Sequence, residues 1–262
     1  TLENIIRSFH QFALQTSRLL IINGDDANTR KAVEGIPSEK LLTFGFDVGN
    51  RYRAVDIADT KRACERFTVL KDGAPLCEVS LRIPGKHNIY NALAAVAVAD
   101  YMGVDAQTIA ESLHQFTGVH RRFEILGTFN GVTVADDFAH HPTELTATLN
   151  AAMHMGFREV WAVFQPHTFS RTYMLLDDFA KALSMADEVV LADIYAARET
   201  DNLGISSDTL REKIEALGTT AHYFRSFDAI ENFLLENVQS GDLVLTMGAG
   251  DVYQIGEHIL GK

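Results

Sequence analysis

The chain has 262 residues, 47% of them hydrophobic, enough to bury the cores of one or two domains. Its formal net charge of −12 argues against a nucleic-acid or anionic-membrane surface, yet Lys86, Arg121 and Arg122 remain available for a small phosphate or carboxylate pocket. No apolar run approaches the roughly 20 residues needed to span a bilayer. The two cysteines, Cys64 and Cys77, are too few for a disulfide framework, so a reducing cytoplasm is expected, with one pair across a hairpin as the alternative. The opening Thr1-Leu2-Glu3-Asn4 is not a signal peptide and lacks an initiator methionine, which predicts a piece of a longer chain.

Residues 1–20 predict a helix, with Leu2, Ile5, Ile6, Phe9, Phe12 and Ala13 apolar, running into a buried strand at Leu19–Ile22. Asn23-Gly24-Asp25-Asp26 is a polar turn at that strand's end. From about 52 to 83 the pattern alternates every second residue, as in Leu76, Glu78, Ser80 and Arg82, with a hairpin signal at Asp72-Gly73; a small antiparallel sheet is expected. Gly85-Lys86-His87-Asn88 opens an alanine-rich helix over Ile89–Met102, and another helix covers Ala106–Phe116. Residues 117–120 read as a boundary, giving domains at 1–119 and 120–262. Beyond it come a hairpin (123–128 and 132–135, turning at Asn130-Gly131), helix 142–154, strand 159–164, helix 172–184 and strand 188–192. Helix 206–217, a short strand near 221–224, helix 226–238, strand 243–247 and helix 252–260 complete the chain. Ser226 stands where an N-cap belongs, ahead of Ile230, Phe233, Leu234 and Val238 on one face. Short continuous apolar strands alternating with helices predict an α/β fold, a mostly parallel sheet with helices on both faces.

Polar residues gathered where strands stop mark the ligand-binding rim of such folds. The strand Val132–Ala135 runs into Asp136-Asp137-Phe138-Ala139-His140-His141-Pro142-Thr143-Glu144. Its carboxylates and imidazoles suit a metal or a ribose; the plainer alternative is that a carboxylate ends the strand while His141 and Thr143 start the helix. His-His-x-x-Glu does not match the His-Glu-x-x-His of zinc proteases. The next strand runs into Gln165-Pro166-His167-Thr168-Phe169-Ser170-Arg171-Thr172. There His167 and Arg171 sit at a helix start that favours anions, so Arg171 suits a substrate carboxylate, unless this is a solvated loop capped by Ser170. Asp193-Ile194-Tyr195-Ala196-Ala197-Arg198-Glu199 follows the third parallel strand at the same rim, as a site segment or a simple loop.

His87 and Asn91, four residues apart, share a helix face suited to a purine's edge; the alternative is that Asn88 only caps the helix. Arg121 and Arg122, entering a strand, point to opposite faces, so at most one can clamp a phosphate between domains, and a surface ion pair is the alternative. Gly248-Ala249-Gly250-Asp251 offers close backbone approach without the dinucleotide fingerprint, and no G-x-x-x-x-G-K-[ST] phosphate loop occurs.

Taken in order, Asn23-Gly24-Asp25-Asp26, Gly85-Lys86-His87-Asn88-x-x-Asn91, Arg121-Arg122-Phe123, Asp136 through Glu144, Phe164 through Thr172 and Asp193-Ile194-Tyr195-Ala196 resemble the Mur ligases, specifically their alanine-adding branch. The resemblance covers essentially the whole chain. It implies a Rossmann-like C-terminal domain preceded by the later part of a P-loop-type ATPase domain with a small antiparallel sheet; the phosphate loop, the Mg2+ ligands and the uridine site would lie upstream of Thr1. The implied activity is cytoplasmic, ATP-dependent and ADP-forming: L-alanine is joined to UDP-N-acetylmuramate through an acyl phosphate for peptidoglycan synthesis, and the fragment alone is expected to be inactive. Such chemistry needs Mg2+ and cationic groups on the developing charge and a closed site that keeps water off the anhydride.

Residue by residue, the resemblance puts His87, Asn88 and Asn91 at the adenine and Asp137 at the ribose. It puts Arg121 or Arg122 at the phosphates, with His140 also in the reaction centre. Phe138, His140, His167 and Arg171 line the alanine pocket, and no metal ligand falls within the chain. Phe138 stands where that branch commonly has Tyr, and Thr168 where it commonly has Arg, which removes polar contacts near the amino acid. A murein-peptide recycling branch shares the Asp136–Thr143 stretch but differs at Phe164-Gln165-Pro166-His167. Two readings from other classes stand beside these: a metal-dependent hydrolase built on Asp137, His140, His141 and Asp193, and a catalytically silent nucleotide-binding module. Oligomeric state stays open.

Overall fold

The computed structural model describes residues 1–59 and 64–262, and its contacts divide the chain into two units, Thr1–Thr117 and Gly118–Lys262. In the first unit the elements run α1 (Leu2–Gln15), β1 (Leu20–Asn23), α2 (Ala27–Ala32), β2 (Leu41–Gly45), β3 (Tyr52–Asp59), β4 (Cys64–Lys71), β5 (Ala74–Pro84), α3 (His87–Tyr101) and α4 (Ala106–Gln115). The alternating segment does form antiparallel strands, β3–β4–β5, and β3 also pairs in parallel with β2. The antiparallel strands thus continue one five-stranded sheet in the order β1-β2-β3-β4-β5. The sequence reading assigns no element to 27–51, where the structure has α2 and β2; the apolar run of β2 is too short to signal a strand by itself.

One face of this sheet, carrying Phe44, Tyr52, Phe67, Val69, Val79 and Leu81, packs against Ile89, Leu93 and Val96 of α3. Asp72 (φ 51°) and Gly73 (φ 83°) both take the left-handed region that a tight two-residue hairpin turn demands, which is why Asp-Gly signals it. β1 forms one edge of the sheet. Helix α1 buries only Ala13 and leaves Leu2, Ile5, Phe9 and Phe12 each more than half exposed, beside a groove of about 410 Å³ shared with β1 and α2. The alternative of a Cys64–Cys77 pair falls on a side chain outside the described residues; Cys77, opposite Val69 in the ladder, is a free thiol.

The second unit runs β6 (Glu124–Phe129), β7 (Val132–Asp137), α5 (Pro142–Met153), β8 (Val160–Phe164), α6 (Phe169–Met174), α7 (Leu176–Leu183) and β9 (Glu188–Leu191). It continues through α8 (Ser207–Glu215), β10 (Thr220–Tyr223), α9 (Phe227–Asn237), β11 (Leu243–Met247) and α10 (Tyr253–Ile259). Its six strands are ordered β10-β9-β8-β11-β7-β6, all parallel except β6, which pairs antiparallel with β7. The pleat sends alternate residues to opposite faces. Val160, Ala162 and Phe164 meet Leu145 and Leu149 of α5, Phe179 of α7 and Leu210 of α8, whereas Trp161 and Val163 meet Ile230 of α9 and Ile255 of α10. Helices therefore cover both faces, as the uninterrupted apolar strands predict.

Two local boundaries differ from the sequence reading. Helix 172–184 is two helices, α6 and α7, broken at Leu175 (φ −114°, ψ 21°), and α6 starts earlier, at Phe169. Strand β7 extends through Asp136 and Asp137 because β11 pairs with it as far as Met247. Both carboxylates thus lie within the strand and, one residue apart, face opposite sides of the sheet.

Candidate active site

The polar clusters of the second unit all follow the carboxyl ends of parallel strands. β11 sends its chain to α10 on one face, while its neighbours β7 and β8 send theirs to the other, so the loops after these three strands diverge around a crevice. The floor of that crevice is tied down tightly. Gln165, after β8, donates from Nε2 to Asp251 Oδ1 at 2.8 Å and accepts the Asp251 amide on Oε1 at 3.0 Å. A Cβ at Gly250 would collide with Gln165 Oε1 and lie 3.1 Å from the Tyr195 ring. Gly248-Ala249-Gly250-Asp251 is therefore glycine-rich to admit these neighbours, not a phosphate cradle.

Arg121 is not the free cation that the sequence reading allows. It lies in a turn, at φ 57°, ahead of β6, so the alternation argument from a strand does not apply. Its guanidinium pairs with Asp136 at 2.8 Å, donates to the carbonyls of Gly248 (2.8 Å) and Gly250 (3.2 Å), and lies 4.6 Å from the Tyr253 ring and 5.0 Å from the Phe138 ring. Arg122 is exposed, 5.8 Å from the Phe138 ring, and is the arginine left to meet a ligand.

Asp137 also has a task inside its own unit. Its carboxylate accepts the amides of Ala139 (2.7 Å) and Phe123 (3.0 Å) and the Thr148 hydroxyl (3.2 Å). Burial pushes its pKa up, and those hydrogen bonds oppose the shift. A buried carboxylate so engaged fastens the β7–α5 loop. Asp136 is likewise pushed up by burial, with Arg121 and Thr246 pulling the other way. His141 caps α5: its Nδ1 accepts the Thr143 amide, and Glu144 accepts the amide of His141 in return, as a capping box. Asp193 accepts the Tyr223 hydroxyl. The four donors of the hydrolase reading are thus engaged apart from one another, and the described residues contain no group of three or more His, Cys, Asp or Glu able to hold a metal ion.

His140, His167 and Arg171 do come together. His140 Nδ1 lies 3.0 Å from the Phe138 carbonyl; since a carbonyl only accepts, Nδ1 carries a proton. The His140 ring is 5.5 Å from Phe138, edge-on, and 6.1 Å from His167. His167 in turn stacks on Tyr195, with centroids 5.4 Å apart and planes at 19°. Burial first, then the positive charges of Arg171 and His140, lower the pKa of His167, so it is neutral near pH 7. His167 Nδ1 and Arg171 Nη1 are both buried with no hydrogen-bond partner among the described residues. Buried polar atoms without a partner are rare, and two side by side at a strand's carboxyl end suit a polar ligand. Ser170, which could have been a cap, instead gives its amide (3.0 Å) and hydroxyl to Glu199; the cap of α6 is Thr168, a β-branched residue held at φ 69°, where strain of ~1–3 kcal/mol is usual.

In the first unit, His87 and Asn91 lie exposed on one face of α3. Gly85, at φ 100°, lies directly against the His87 ring, where a Cβ would stand 2.9 Å from Nδ1. Asn88 is no N-cap: it donates to the Pro84 carbonyl at 2.7 Å and accepts from Asn91 at 3.0 Å, which orients the Asn91 carboxamide. Behind this face sits Asp25, unremarked in the sequence beyond its turn. It accepts the amides of Phe46 (2.6 Å) and Asp47 (3.2 Å), the Asn50 carboxamide (2.6 Å) and the Tyr90 hydroxyl (3.0 Å). Burial alone would raise its pKa; the four bonds leave it lowered.

Two families match the sequence, one on each side of the division between the units. Residues 1–99 match the Mur ligase middle domain and residues 121–250 match the Mur ligase, glutamate ligase domain. The chain belongs to the Mur ligases. It is 47% identical to the UDP-N-acetylmuramate–L-alanine ligase of Agathobacter rectalis over all of its own length, and 49% identical to that of Lachnospira eligens over 96%. It spans 57% and 56% of those relatives, little more than half of each. Among solved structures it resembles the UDP-N-acetylmuramate–alanine ligase of Thermotoga maritima, with a TM-score of 0.80, 28% identity, and coverage of 100% of this chain and 55% of the other. A murein peptide ligase of Psychrobacter arcticus shares the fold at TM-score 0.69 and 24% identity, with 99% of this chain and 54% of that one aligned. Among the described residues no helix is long and apolar enough to cross a membrane.

Proposed function

We propose that this chain carries the adenine-contacting and amino-acid-binding parts of an ATP-dependent, ADP-forming cytoplasmic ligase that joins L-alanine to UDP-N-acetylmuramate. In the reaction, a carboxylate oxygen of UDP-N-acetylmuramate attacks the γ-phosphorus of ATP and ADP leaves. The amine of L-alanine then attacks the acyl phosphate, and phosphate departs. The observation that carries the reading is the buried, unpartnered pair of His167 Nδ1 and Arg171 Nη1. Arg171 takes the carboxylate of the amino acid by a charge-assisted bond, and neutral His167 accepts from its nitrogen without repelling it. His140 and Phe138 close the pocket, while exposed Arg122 meets the phosphate charge.

His87 and Asn91 offer their exposed helix face to adenine, with Asn88 orienting Asn91. Asp137, committed to its own loop, is given no part in holding the ribose. The magnesium that accompanies ATP supplies charge neutralisation at the phosphates, and no residue of this chain is assigned to it. The names of the relatives at 43–49% identity favour alanine over the recycled peptide, whose ligase resembles the chain at 24%.

The test is Arg171→Ala in a ligase of its relatives' full length. Loss of the charge-assisted bond, roughly 1.5–3 kcal/mol, raises KM for L-alanine by about 10- to 150-fold and leaves KM for ATP unchanged. An unaltered alanine KM removes Arg171 from the pocket. Since the 262 residues hold no G-x-x-x-x-G-K-[ST] loop, they are expected not to ligate by themselves.

A further inference from the structure

The group that holds His167 in place comes from the next strand's loop. Pro166 accepts the Tyr195 amide at 2.8 Å and the Tyr195 carbonyl accepts the Thr168 amide at 2.9 Å, so a short parallel bridge fastens His167 and Tyr195 side by side. Their rings then stack at 5.4 Å. Tyr195 also lies near Gly250, where a Cβ would stand 3.1 Å from its Cδ2. Ring and hydroxyl are distinguishable here: the stacking involves the ring, and no hydrogen bond of the Tyr195 hydroxyl contributes to it.

We propose that Tyr195 is a positioning residue for the amino-acid pocket: its ring, stacked on the imidazole of His167 and fastened beside it by the backbone bridge, holds that imidazole beside Arg171. The inference rests on the amino-acid reading of the pocket. The Nδ1 of His167 is buried and unpartnered, so that edge of the imidazole is held by no hydrogen bond, and the stacked Tyr195 ring is the contact that bears on its orientation.

Tyr195→Leu in the full-length ligase is expected to raise KM for L-alanine by ~3- to 10-fold, with KM for ATP unchanged and Tyr195→Phe restoring the native value. A second readout separates positioning from general loosening. His167 is faced by Arg171, His140, Glu199 and Tyr195; opening its stacked face to water relieves the burial that lowers its pKa. The His167 Cε1 proton, followed by NMR in this chain and assigned with His167→Gln, should titrate nearer the ordinary 6.5 in Tyr195→Leu, and stay low in Tyr195→Phe. Tyr195→Met, which keeps bulk but not the stacked ring, is expected to raise the alanine KM too, which keeps the test available if Tyr195→Leu does not fold.

An alanine KM and a His167 titration unchanged in Tyr195→Leu, while Arg171→Ala raises KM, would overturn the role of Tyr195 and leave the pocket standing. Equal defects in Tyr195→Phe and Tyr195→Leu would overturn the stacking argument. No response to Arg171→Ala would overturn the pocket itself.

Discussion

Replacing Arg121 by Ala removes the cation from a pair that is almost dry: its side chain is 13% exposed and that of Asp136 is 1%. Asp136 then keeps only the Thr246 hydroxyl, at 2.7 Å, as a partner for a buried carboxylate, and the carbonyls of Gly248 and Gly250 lose their donor. Breaking a buried pair on one side typically costs ~3–5 kcal/mol, because the surviving charge is stranded rather than because the pair was worth that much. For a unit of this size ~1 kcal/mol lowers Tm by about 2–4 °C, so a fall of ~6–20 °C is expected. Trp161 is the chain's sole tryptophan and is packed in the second unit, so its fluorescence in guanidinium reads this unit directly. The midpoint should fall with the slope unchanged. Arg121→Ala combined with Asp136→Ala should recover much of the loss, since no charge is then stranded. A single variant losing under ~1 kcal/mol would refute the reasoning, for that is what an exposed pair is worth.

Three further expectations follow from the geometry. Asn91→Ala should weaken ATP binding by roughly 2- to 13-fold, the worth of one hydrogen bond, and leave alanine affinity at saturating ATP intact; the reverse pattern would return the α3 face to a purely structural role. Because the folded protein holds the His167 pKa below its ordinary 6.5, the unfolded chain takes up that proton first, so stability is complete above about pH 6.5 and declines as pH falls below it. His167→Gln should flatten that decline in guanidinium midpoints followed by Trp161, and an identical pH profile would contradict the burial of His167. Limited proteolysis of residues 1–262 should trim toward a resistant core beginning near His120, because β1 leaves an open sheet edge and α1 exposes Leu2, Ile5, Phe9 and Phe12. Equal resistance of the first unit would count against that.

What the sequence by itself determined about this protein is whatever depends on a few neighbouring residues. Strand and helix periods in 120–262 read correctly because each element's buried face repeats along its own length. Asp72-Gly73 and Asn130-Gly131 announced their turns because both residues of each pair take positive φ, at 51° and 83° and at 47° and 82°. The alternative for His141, that it starts the helix after β7, is also local, since its capping partner is Glu144. The motifs after β7 and β8 were legible as well, and the structure brings His140, His167 and Arg171 together there.

Only the tertiary structure decided which of two adjacent arginines is spent, for the partners of Arg121 lie up to 129 residues away, on a loop that β11 brings alongside β7. The same holds for Asp137, turned inward by Phe123 and Thr148, for Tyr195, bridged to His167 from another strand's loop, and for β2, which is recognisable only beside β1 and β3. A charged side chain is available for chemistry or consumed in structure according to what desolvates it and what pairs with it, and both come from strands that meet only when the sheet assembles.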